Sequence, residues 1–166
     1  MGHEDLIKEQ LRCRVLTVSS SRTRESDESG RVIRNLLREK GHKVENSKVI
    51  PDETGEIERE INKAVNSNSR VLIITGGTGL SIRDHSVDVL KRMEDKEIPG
   101  FGEAFRRMSF ENIGPRAILS RARGSLIRDT LVFSLPGSPA AVKLGTRELI
   151  LPTIGHATYE IDKEAE

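Results

Sequence analysis

Val71-Leu72-Ile73-Ile74 runs directly into Thr75-Gly76-Gly77-Thr78-Gly79, and this junction decides the fold. Four consecutive apolar residues without polar alternation read as a strand buried on both faces, the kind that parallel sheets contain. Three glycines in the next five positions let the chain turn sharply and bring its backbone close to a ligand. Successive N–H groups in such a turn form an anion nest, with the Thr75 and Thr78 hydroxyls as added donors to phosphate oxygens. The loop is neither a Walker loop, since no Gly-Lys-Ser/Thr follows, nor the dinucleotide spacing. A glycine-rich turn with no ligand is the plain alternative.

Outward from this junction, strand-like and helix-like segments alternate. Residues 14–19 are rich in β-branched side chains, and Val32, Ile33, Leu36 and Leu37 then recur at helical spacing before a stop at Gly41. Residues 42–49 read as a second strand ended by Pro51, and Ile57, Ile61, Ala64 and Val65 form one face of an amphipathic helix. Beyond the glycine loop, Val87, Leu90 and Met93 mark a short helix, and residues 103–110 another, opened by a Pro99-Gly100-Phe101-Gly102 turn. Residues 117–119 and 130–135 read as strands with a hairpin connection over 121–129. Ser138-Pro139 is a strong helix start, Ser as N-cap and Pro at the first helical position, for a helix running to Leu149 or beyond. The alternation predicts an α/β fold, a mostly parallel sheet flanked by helices on both faces. No repeat, linker or composition break divides the 166 residues, so one domain is expected, with its core at about 14–150 and with 1–12 and 160–166 peripheral.

Composition narrows the function. With 27 Lys and Arg against 26 Asp and Glu, the net charge of +1 excludes binding of nucleic acid through bulk electrostatics. Four Phe, one Tyr and no Trp leave few stacking platforms for single strands. The lone Cys13 excludes an intrachain disulfide and reads as a small apolar strand residue. No stretch approaches the roughly 18 apolar residues of a membrane helix, and residues 1–12 mix charges unlike a signal peptide. A cytoplasmic protein with neither nucleic-acid nor membrane partners is expected.

In open α/β sheets, ligands bind beyond the carboxyl ends of the strands. Asp52 closes the second strand, and Asp84 follows the glycine loop by five residues. Parallel strands would put both carboxylates at the loop's edge, where Mg²⁺ takes carboxylate and phosphate oxygens together. Turn or helix-cap roles are the alternatives. Leu135-Pro136-Gly137-Ser138-Pro139 is a second strand-to-helix loop with a helix N-terminus facing the same side. Arg121, after Ser120, offers a fixed fork to a carboxylate or phosphate. His3, His42, His85 and His156 share no metal-ligand spacing, although His85 adjoins Asp84. The charge run over residues 22–28 reads as a solvated, mobile loop.

Taken in order, Thr75-Gly76-Gly77-Thr78-Gly79, Arg83-Asp84, Pro99-Gly100-Phe101-Gly102-Glu103, Leu119-Ser120-Arg121 and Leu135-Pro136-Gly137-Ser138-Pro139 resemble the MogA/MoaB family of molybdenum cofactor biosynthesis proteins. The same domain recurs in gephyrin and in plant Cnx proteins. The resemblance covers residues 14–149, and residues 102–111 look closer to the MoaB branch. It implies a molybdopterin-binding fold, a trimeric or hexameric homo-oligomer, and adenylylation of molybdopterin by ATP with Mg²⁺. It also implies transfer of the product to a MoeA-type metal-insertion protein. Asp52 and Asp84 take the places of the family's two required aspartates, which act in catalysis and hold the metal. Thr75, Gly76, Gly77, Thr78 and Gly79 match the nucleotide- and pterin-phosphate segment. Ser109, Ser120, Arg121, Pro136, Gly137, Ser138 and Pro139 match positions lining the pterin. One departure stands out: His85-Ser86-Val87 replaces the usual Val-Thr-Pro, so Ser86 keeps a capping hydroxyl while the missing Pro loosens the first helical turn. A non-catalytic pterin- or nucleotide-binding module, or a scaffold of the same pathway, is the competing expectation.

Overall fold

The computed structural model describes residues 9–163. Along the chain, β1 (Arg12–Val18), α1 (Glu28–Glu39), β2 (Lys43–Ile50), α2 (Thr54–Asn66), β3 (Val71–Thr75) and α3 (Ser86–Met93) alternate as expected. A short β4 (Lys96–Ile98) leads into α4 (Pro99–Ile113) and a 3-10 turn (Gly114–Leu119). Then come β5 (Arg123–Ile127), β6 (Thr130–Leu135), α5 (Pro139–Leu144), a π-helical segment (Gly145–Ile150) and α6 (Leu151–Lys163). Among the described residues the sheet has six strands in the order β2-β1-β3-β6-β5-β4. β2, β1, β3 and β6 run parallel, while β5 and β4 are antiparallel additions at one edge.

The pattern of β3 is resolved by two cores, one on each face. Val71 and Ile73 pack with Cys13, Val15, Ile33, Leu37, Phe101, Phe105, Leu131, Phe133 and Ile154, under α1, α4 and α6. Leu72 and Ile74 pack with Leu16, Val18, Ile57, Ile61, Ala64 and Leu90, under α2 and α3. Each fully buried Ile or Leu contributes roughly 2 kcal/mol of transfer free energy. The helical stripe read in the sequence is therefore the buried face of α2. Burial pushes the Cys13 thiol up to about 12, with the Glu45 carboxylate adding to the effect, so it behaves as the small strand residue expected.

Several expectations need correction. Residues 117–119 belong to the 3-10 turn, and the segment taken as a hairpin connection contains strand β5. The Pro99-Gly100-Phe101-Gly102 turn is the first turn of α4, with Pro99 at its start. The charge run is not simply solvated. Asp27 is buried, caps α1 through the Gly30 N–H at 2.9 Å, and accepts a 2.7 Å hydrogen bond from Thr17 Oγ1. Packing also reaches beyond residues 14–150, to Leu11 at one end and to Leu151 and Ile154 at the other. His3 and most of the 1–12 segment, like the last residues of 160–166, lie outside the described residues.

Candidate functional site

β1, β2, β3 and β6 all end on one edge of the sheet, and the sequence places its glycine loop there. Gly76 donates to the Leu135 carbonyl at 2.9 Å, and Thr75 Oγ1 donates to the Pro136 carbonyl at 3.0 Å. The Thr75 hydroxyl is thus engaged within the protein, not presented to phosphate as the sequence suggested. Gly76 has φ +97°, and a Cβ there would meet the Val18 carbonyl oxygen at 2.2 Å. Only glycine lets the loop leave β3 while touching the end of β1.

Both aspartates come to this loop. A Cβ on Gly77, whose φ is +71°, would lie 3.1 Å from Asp52 Oδ2 and 2.3 Å from Ser86 Oγ. A Cβ on Gly79 would lie 2.8 Å from Asp84 Oδ2. Asp52 arrives from the end of β2, and its Oδ1 accepts the His85 N–H at 3.2 Å. Asp84 Oδ2 accepts the Ser81 N–H at 2.9 Å. The capping roles differ from expectation: His85 is the N-cap residue of α3 without a side-chain cap, and Ser86 is its first helical residue. The carboxylate that satisfies this helix start belongs to Asp52, 33 residues away. The helix forms without the family's proline.

Burial pushes the Asp52 carboxyl above its ordinary range; the His85 N–H works against this, and the neighbouring Asp84 charge works with it. Among the described residues, no group of three or more His, Cys, Asp or Glu could hold a metal by itself. Two converging carboxylates fit Mg²⁺ of the kind that completes its shell with substrate phosphates and water.

Arg121 is placed beside the loop but its fork is committed. Its N–H donates to Thr78 O at 3.1 Å, Nε to Gly79 O at 2.9 Å, Nη1 to Asp88 Oδ1 at 2.8 Å and Nη2 to Asp84 O at 3.2 Å. It splints the glycine loop to α3. Ser120 Oγ accepts from the Ala122 N–H at 3.3 Å, and its carbonyl accepts from Arg106. Ser109 is buried within α4. In the 136–139 loop, Ser138 Oγ caps α5 through the Ala141 N–H with Pro139 at the first turn, as expected. Gly137 abuts Gly76, a Cβ on it lying 3.6 Å from Gly76 Cα. Its carbonyl accepts from Ser29 Oγ at 2.7 Å and Arg22 Nη1 at 3.1 Å. Arg22, Asp88 and Ser86 were not singled out as site residues. Their parts depend on contacts across the fold that no local spacing announces.

Residues 14–156 match a family described as a probable molybdopterin binding domain. The chain is 40% identical to molybdenum cofactor biosynthesis protein B of Bacillus cereus over 98% of this chain and 97% of that one. It is 38% identical to the protein of the same name from Bacillus subtilis, covering 98% and 96%. A crystal structure of a molybdenum cofactor biosynthesis protein B superposes with TM-score 0.91 at 40% identity, over 94% and 98% of the two chains. The tungsten cofactor synthesizing protein MoaB from Pyrococcus furiosus superposes with TM-score 0.79 at 34% identity, covering 95% and 98%. This chain therefore belongs to the MogA/MoaB family of molybdenum cofactor biosynthesis proteins and carries its molybdopterin-binding fold.

Proposed function

We propose that this chain adenylylates molybdopterin: a pterin phosphate oxygen attacks the α-phosphorus of ATP, a P–O–P bond forms, and pyrophosphate leaves. The observation that carries this reading is the placement of the Asp52 and Asp84 carboxylates against Gly77 and Gly79. A site built only to hold a phosphate would not present two carboxylates to it, because like charges repel. Bound between them and the triphosphate, Mg²⁺ would neutralise charge on the nucleotide and on the departing pyrophosphate.

The protein's own part is positioning. N–H groups of Gly77, Thr78 and Gly79 would hold phosphate oxygens, while the links from Arg121 to Gly79 and from Gly76 to β6 keep that loop in place. Ser120 and the 136–139 loop would line the pterin, whereas Ser109 is buried within α4. No general base is required, since a phosphate monoester is already an anion near neutral pH. Holding the two phosphates in line in a charge-compensated site supplies the acceleration. We further propose that the working form is a closed homo-oligomer that delivers its product to a MoeA-type metal-insertion protein.

Incubating the purified protein with molybdopterin, ATP and Mg²⁺ should yield adenylyl-molybdopterin and pyrophosphate in equal amounts. Tight pterin binding without either product would leave the competing reading, a non-catalytic carrier, in its place.

A further inference from the structure

We propose that Ser86 is a positioning residue of this site, one that holds Asp52 from the first turn of α3. The inference rests on the reading above in placing Mg·ATP at Asp52. Ser86 is fully buried, and its Oγ has no hydrogen-bond partner among the described residues. Among the described residues, Ser134 Oγ and Thr146 Oγ1 are also buried without a partner, whereas Thr17 donates to Asp27, Thr75 to the Pro136 carbonyl and Thr130 to the Ser69 carbonyl. What sets Ser86 apart is its place beside Gly77 and Asp52. An orphaned buried hydroxyl costs stability, so its location matters.

That location is the floor of the glycine loop. The point where a Gly77 Cβ would stand is 2.3 Å from Ser86 Oγ and 3.1 Å from Asp52 Oδ2. The hydroxyl and the carboxylate oxygen therefore flank one spot on the loop. Asp52 Oδ1 is already held by the His85 N–H from the same helical turn. Oδ2 takes no hydrogen bond among the described residues. A serine hydroxyl rotates to suit its acceptor. When ligand binding draws the carboxylate and loop together, Ser86 Oγ–H donates to Oδ2, and one helical turn then holds both carboxylate oxygens. Ser86 acts through Asp52 and touches no substrate. An alanine would fill this place with no orphaned hydroxyl, so packing alone does not call for serine.

Titration calorimetry of Mg·ATP into the full chain, with melting curves alongside, tests this. Ser86→Ala should weaken Mg·ATP binding about tenfold, the usual effect of losing a group that orients a metal-site carboxylate, with its melting temperature equal to native or higher. In an Asp52→Asn background the same change should have no further effect, because coupled residues are not additive. Ser86→Thr, which keeps the hydroxyl, should bind close to native. Native affinity in Ser86→Ala, a loss matched by a fall in melting temperature, or an undiminished tenfold loss in the Asp52→Asn background would each overturn the proposal. The comparison between native and alanine proteins decides even if the threonine methyl does not pack. Native protein that binds Mg·ATP but does not adenylylate molybdopterin would sink the functional reading alone. Native protein that fails to bind Mg·ATP would sink both.

Discussion

At the scale of single residues, the site sets charge against burial. Asp52 is held partly out of water beside a second carboxylate, and its carboxyl is raised above its ordinary value of 3.8 by burial, opposed by His85 and aided by Asp84. A carboxyl raised in the folded state contributes stability below its unfolded pKa and loses it as pH rises through the folded value. At neutral pH the ionised Asp52 therefore weakens the fold. Asp52→Asn keeps an oxygen acceptor for His85, so we expect a melting temperature at or above native near pH 7 together with loss of adenylylation. A clear fall in melting temperature would show that the charge is structural. Asp84→Asn likewise keeps an acceptor for the Ser81 N–H and should cost roughly 1 kcal/mol or less. Its adenylylation should fall on the order of 100-fold, because a charge held at a metal site contributes several kcal/mol to the transition state. Full turnover by well-folded Asp84→Asn would remove Asp84 from the mechanism. These aspartates and the glycine loop were legible because ordered local motifs mark strand ends. Ser86 and the Arg121 splint were not, since an orphaned hydroxyl and a three-way guanidinium link exist only once distant segments meet.

At the scale of elements, what was legible followed periodicity, and what was missed broke it. β3 and α2 carry clean apolar patterns and were read nearly to their ends. β4 is three residues, Lys96-Glu97-Ile98, whose charged members are exposed at the sheet edge. β5 carries Gly124, a residue strands usually avoid; here a Cβ would come within 2.9 Å of Phe101 Cβ, so the glycine makes room for α4. What fastens this antiparallel edge is Arg123. It donates to Glu94 through Nε at 2.9 Å and pairs with Glu97 at 3.0 Å, while Ser125 also binds Glu94. Both Arg123 and Glu94 are largely buried. Arg123→Ala would strand the Glu94 charge, and we expect a loss of about 3 kcal/mol in chemical denaturation. The hydrogen bond from Arg123, against burial and with help from Ser125, holds the Glu94 carboxyl below its ordinary 4.5. A lowered carboxyl contributes stability above its unfolded pKa and loses it as pH falls through the folded value. The stability gap between native protein and Glu94→Gln should therefore narrow as the pH drops below 4.5. A gap unchanged down to pH 3 would mean the ionised pair contributes nothing.

At the scale of the whole molecule, the surface left apolar points to other copies of the chain. Of the three phenylalanines of α4, Phe101 and Phe105 are in the core, while Phe110 is exposed. It shares α4's end and the following 3-10 turn with exposed Ile113, Ile118 and Leu119. Leu80 and Ile82, the latter 91% exposed, lie just past the glycine loop. The two groups meet near the site, because Arg121, two residues past the turn, bonds to Thr78 and Gly79. Scattered apolar residues on a monomer need no explanation, but a concentration around one rim marks an interaction surface. Closed symmetric rings are the common way for identical chains to cover such a surface. Since the family resemblance implies a trimer or hexamer, that is the mass we expect by light scattering at micromolar concentration, with a melting temperature that rises with protein concentration. Ile118→Asp places a charge in the middle of that rim without touching either core. It should shift the mass toward monomer and abolish the concentration dependence, while the circular dichroism spectrum stays native. A monomeric mass for the unaltered chain would refute the assembly. An unchanged oligomer in Ile118→Asp would place the contact on another face.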